Sequence, residues 1–156
     1  MNGRTAGWRA FAIVSAVVLY AVSVSGQVYD LTSPVTLPHH ELYRKTYAVL
    51  AFALLGFAFE RSHAGRLRGV LAAGIVVALY SYAIELGQIA IDRSTETLGE
   101  HAFDVASGLA GGALGAFVVL FITAPAARAR RVEALGLIVA FALLAWGFAV
   151  TYGRLA

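Results

Sequence analysis

The polar side chains between residues 80 and 104 have the types and spacing to do chemistry. Ser81, Glu85 and Gln88 lie inside a long apolar run, and Asp104 lies near the start of the next. At 100° per residue, Ser81, Glu85, Gln88 and Asp92 fall within about 60° of one another on a helix. In the following run Asp104, Ser107, Gly108, Gly111 and Gly115 share a second face. An ionised carboxylate at membrane depth is costly, so such a residue is a candidate functional group with a partner to be named. Arg93, between the two runs, is the partner this spacing offers to Glu85 and Asp104. The chemistry open to such a cluster is ion pairing with an anionic group, proton transfer by Glu85 or Asp104, or the fixing of helix register.

The elements that must position these residues are helices in lipid. Sixty per cent of the 156 residues are hydrophobic and 13% are charged, about half the charged share of a soluble domain. The reading is all-α: a polytopic membrane protein, one domain over residues 1–156, with about five transmembrane helices in one bundle. The apolar runs cover about 8–26, 46–61, 69–91, 102–123 and 132–152, each near the length that spans a bilayer core. The first run has a rival reading as a cleaved signal peptide, given its basic start and the small residues at 23–26. Thr97 and Glu100 have the form of a capping box, which starts the fourth helix ahead of its membrane part. Tyr152 stands as an interfacial anchor.

Orientation follows from the basic residues. With the N-terminus inside, Arg4, Arg9, Arg61, Arg66, Arg68, Arg128, Arg130 and Arg131 are cytoplasmic, while Arg44, Lys45, Arg93 and Arg154 are outside. Eight against four gives N-in, C-out. The candidate residues then belong to the outer half. The same short basic loops explain the net charge of +3 without nucleic acid. There are no cysteines, which excludes disulfides, thiolate metal sites and cysteine nucleophiles.

The order Glu85-x-x-Gln88, Arg93, Asp104-x-x-x-Gly108-x-x-x-Gly112 resembles the signature of the VanZ-like membrane protein family, over about residues 39–115. Tyr47 matches the family's upstream element, roughly Asp-Lys-x-x-His-Phe-x-x-Tyr. His39, His40 and Tyr43 stand where the family has Asp, Lys and His, Ser107 replaces a common Asn, and the spacing from Arg93 to Asp104 is longer. The resemblance implies a small multi-pass protein of the bacterial cytoplasmic (inner) membrane and cell envelope. Its family association is with resistance to the glycopeptide teicoplanin. It implies no settled reaction and no cofactor.

The site expected from these readings is a cluster of Glu85, Gln88, Arg93, Asp104 and Tyr47, with His39, His40, Tyr43 and His101 as secondary candidates. Helices two, three and four should form it, and the Asp104–Ser107–Gly108–Gly111 face should pack on the Ser81–Glu85–Gln88 face. Gly108, Gly111, Gly112 and Gly115 are read as packing residues that allow close helix approach. No metal is expected. Zinc accepts His and carboxylate ligands, but no His-x-x-x-His or His-Glu-x-x-His spacing is present. No Walker-type loop or Ser-His-Asp context occurs either.

The expected function is non-catalytic. The outer pocket would bind an anionic membrane lipid, a lipid-linked envelope precursor or a glycopeptide, with Arg93 on the head group and Arg44 and Lys45 assisting. Two alternatives stand beside it: an intramembrane enzyme using Glu85 or Asp104 as acid or base, and a small proton-coupled carrier titrating Glu85.

Overall fold

The computed structural model describes residues 3–25, 40–63, 69–91, 97–123 and 127–152. Five helices follow in chain order: α1 (Gly3–Val24), α2 (His40–Ser62), α3 (Val70–Ala90), α4 (Leu98–Thr123) and α5 (Ala127–Tyr152). No strand occurs among the described residues. Helices α1, α2, α4 and α5 begin ahead of the apolar stretches expected at their positions, because capping and first-turn residues are polar yet helical, whereas α3 matches its stretch within a residue at each end.

Two helix starts have visible causes. Thr97 and Glu100 form the capping box: Thr97 N–H donates to Glu100 Oε2 at 2.6 Å, and Glu100 N–H points back at Thr97 Oγ1 at 3.4 Å. This reciprocal pair satisfies donors that the first turn leaves open. At α3 the cap comes from another helix. Glu133 of α5 accepts the Val70 N–H at 2.7 Å. Gly69 precedes it at φ 111°, a left-handed conformation that a glycine adopts without strain.

Helix α4 is the axis of the bundle. Half of its apolar span is buried, against 6% for α1. It packs on α2, α3 and α5, while α1 lies across α2 and α3. Neighbours in sequence run antiparallel, so α2 and α4 run parallel. Small residues on α4 make this possible. A Cβ on Gly108 would lie 2.7 Å from Ser81 Cβ, and one on Gly112 2.6 Å from Val77 Cβ, both on α3. Gly111 and Gly115 face the other way, onto Phe52 and Ala53 of α2, and Gly56 of α2 meets the Gly112 backbone. The expected glycine face is therefore split: Gly108 packs on α3, whereas Gly111 packs on α2. A helix wedged between two others needs small residues on two sides.

The distribution of side chains suits a lipid solvent. The core is built of Ala73, Ala110, Ala113, Ala116 and Ala140 with a few larger groups. The outer faces carry Ile13, Val17, Leu79, Ile89, Leu135, Ile138 and Trp146, each at least half exposed. In water such a surface would aggregate; in a bilayer it is the solvated side. Helices α1, α3 and α4 are long and apolar enough to cross a membrane, and α5 has a shorter apolar stretch at Glu133–Ala149. In α2 the apolar centre, Thr46–Phe59, lies between charged ends. The chain is an all-helical membrane bundle.

Candidate functional site

The polar side chains of α3 and α4 are held by packing of the flanking turns. Ser81 is buried and donates its hydroxyl to the Asp104 carbonyl at 3.0 Å, locking the two helices in register next to Gly108. One turn further along α3, Glu85 meets His101 of α4, with Oε2 and Nδ1 2.5 Å apart. The Asp104 carboxylate turns towards α2, where Lys45 Nζ lies 2.5 Å from Oδ1. Lys45 also lies over the Phe103 ring at 5.5 Å, a cation–π contact that replaces part of its hydration. The side chains of Lys45 and Glu85 are 7% and 6% exposed. At that burial each charge needs its partner.

These two pairs involve partners that the spacing did not offer, Lys45 and His101. Lys45 had been assigned to an incoming anion, but it holds Asp104. His101, a secondary site candidate, holds Glu85. Both pairs tie helices together, α2 to α4 and α3 to α4. Gln88 is satisfied differently again, donating from Nε2 to the Ser23 carbonyl of α1 at 2.9 Å. Arg93 and His39 lie outside the described residues, as does the side chain of His40 in the first turn of α2.

Above these pairs is a cavity of about 600 Å³. Its polar wall is Ser23, Arg44, Ser81, Glu85, Gln88 and Asp104, and Tyr47 also lines it. Its apolar wall comes from Leu19 and Val22 of α1, Ala48, Ala51 and Phe52 of α2, and Ile84 of α3. Glu85, Gln88, Asp104 and Tyr47 thus share one cavity. Tyr43 and His101 do not line it, and Tyr43 is 53% exposed on the outer surface of α2. Helix α1 was missing from the expected pocket. Its residues carry no charge, so nothing in their type marked them as site residues.

The arrangement limits the chemistry. His101 is separated from the cavity by Glu85, so its imidazole is not presented to a bound molecule there. The Ser81 hydroxyl is committed to a backbone carbonyl. Among the described residues no three His, Cys, Asp or Glu side chains converge as a metal-binding group. The cavity surface also carries a cation, Arg44, which has contacts of its own in the bundle and stands next to an apolar slot. The chain matches no protein-family model, no curated protein and no solved structure.

Proposed function

We propose that this chain is a non-catalytic, multi-pass protein of the bacterial cytoplasmic membrane, VanZ-like in its motif order, whose cavity receives an anionic amphiphile such as a membrane lipid or a lipid-linked envelope precursor. The N-in arrangement read from the loop arginines places the cavity towards the outer leaflet. The observation that carries the proposal is the polarity of the cavity wall. Arg44 stands at one end, and Phe52, two turns deeper on the same helix, lies at the other. At 1.5 Å per residue these are about 12 Å apart along α2, with Ala48 and Ala51 between them. A guanidinium beside an apolar slot suits a phosphate or carboxylate head with a hydrocarbon chain. The volume is within the range of small-molecule sites.

Glu85 and Asp104 take a supporting part in this reading. Asp104 is ion-paired with Lys45 and Glu85 is bonded to His101, so both carboxylates are engaged across helices. The test is native mass spectrometry of protein purified from bacterial membranes, read as bound lipid per folded monomer. Ala51→Phe fills the slot and Arg44→Gln removes the charge. Arg44→Gln should lower retention of anionic lipid by about tenfold or more, the worth of one charged hydrogen bond, and Ala51→Phe should lower it by excluding the hydrocarbon chain. Monodisperse variants that retain lipid like the parent would overturn the assignment.

A further inference from the structure

At the end of the bundle opposite the cavity, a carboxylate is buried with nothing bonded to it. Glu60, near the end of α2, is 0% exposed, and neither of its oxygens has a hydrogen-bond partner. It lies about 22 Å along the helix from Lys45, at 1.5 Å per residue. The charges acting on it are His63, just past the end of α2, and Glu133 of α5. Glu133 is fixed by capping Val70, with both carboxylate oxygens against Gly69.

Two arginines among the described residues at this end have other contacts. Arg61 lies over the Trp8 ring at 5.6 Å. Arg9 of α1 reaches the Ser62 carbonyl at 3.4 Å. His63 Nδ1 is 2.9 Å from both Ser62 Oγ and the Phe59 carbonyl. The turns of α3 and α4 at this end, Val70–Ala73 and Val119–Thr123, carry no titratable side chain. An ionised carboxylate taken out of water without a partner is strongly disfavoured, and a second carboxylate nearby makes it worse.

We propose that Glu60 and Glu133 form a binding site for one small monovalent cation, a proton or an alkali ion. The site is separate from the cavity and does not depend on what the cavity binds. Occupancy neutralises Glu60 and lets α2 and α5 hold two carboxylates at one end of the bundle. Such a cation binds the folded chain and not the unfolded one, so mass action stabilises the fold when its concentration is high. In the proton case, the folded state holds a proton that the unfolded Glu60 has released at neutral pH. Stability then falls as pH rises.

The experiment is thermal unfolding of the full chain in detergent between pH 5 and 8.5, in choline, sodium or potassium chloride at equal ionic strength. In choline chloride the parent should lose about 3–5 °C in Tm per pH unit relative to Glu60→Gln, the size of one linked proton in a chain of this length. Restoration by sodium or potassium identifies an alkali-ion site. The same slope in all three salts identifies a proton site. Glu133→Gln keeps an oxygen to cap Val70 and should weaken the response, which supplies the test if Glu60→Gln does not fold. His63→Gln should retain it. Superimposable profiles for the parent and the Glu60 or Glu133 variant, or loss of the response in His63→Gln, would overturn the proposal.

Discussion

Replacing Lys45 by Met keeps the length of the side chain and removes its charge, leaving Asp104 ionised against α2 with its 2.5 Å partner gone. The Asp104 side chain is 14% exposed, so water replaces little of what is lost. Breaking a buried pair by removing one member costs about 3–5 kcal/mol, because the other charge is left uncompensated. The reciprocal change, Asp104→Leu, leaves Lys45 over Phe103. That contact offsets about 0.5–2 kcal/mol, so Asp104→Leu should be the milder of the two. The double variant removes both charges and should recover most of the loss, since apolar replacement of a whole buried pair is close to neutral. The assay is equilibrium unfolding in mixed micelles followed by helical circular dichroism, closed as a double-mutant cycle. Single losses under about 1 kcal/mol that simply add in the double variant are the behaviour of a solvated surface pair. That result would refute the claim that this ion pair clamps α2 to α4.

Two further outcomes are expected. Gly115→Ala should destabilise the bundle by about 1–3 kcal/mol or more, because its Cβ would meet the Ala53 carbonyl and the Phe57 amide nitrogen, 2.5 Å away. Gly147→Ala, whose Cβ would meet only Phe103 and Ala106 at 3.6 and 4.0 Å, should be neutral or stabilising by about 0.5–1 kcal/mol, and equal stability of the two variants in detergent would refute the close α2–α4 approach. For topology, Ser94→Cys should react with an impermeant thiol reagent in intact cells, while Ala64→Cys and Ala127→Cys should not; the reverse pattern would place the cavity on the cytoplasmic side.

Much of the architecture is local and therefore legible in the residues themselves. Apolar runs of spanning length in a chain without a soluble charge content have few folds open to them, because backbone groups in lipid must bond within their own segment. The Thr97–Glu100 cap is a three-residue relation and needs no tertiary information. The placement of Ser81, Glu85 and Gln88 on one face follows from the helical period alone. The small residues of α4 announce close packing in the same way, though not which neighbour each one meets.

Partners are decided elsewhere. Lys45 and Asp104 are 59 residues apart and Gln88 and Ser23 are 65 apart, so each contact depends on how two helices rotate and slide against each other. A shift of one residue turns a helix by about 100°, enough to exchange every pair in the cluster. Glu85 and His101, 16 residues apart across one connection, come nearest to being readable, yet His101 carries no mark that separates a carboxylate partner from a metal ligand. The apolar wall supplied by α1 is still less visible, because Leu19 and Val22 look like any lipid-facing pair until packing turns them inward. Glu60 is the extreme case. Its position at a charged helix end suggests a solvated residue, and only tertiary packing around the end of α2 removes it from water. Composition and period thus fix which solvent surrounds the chain and which faces carry polar groups. Helix rotation and register, set by interdigitation of the glycines and alanines of α4, decide which charges meet.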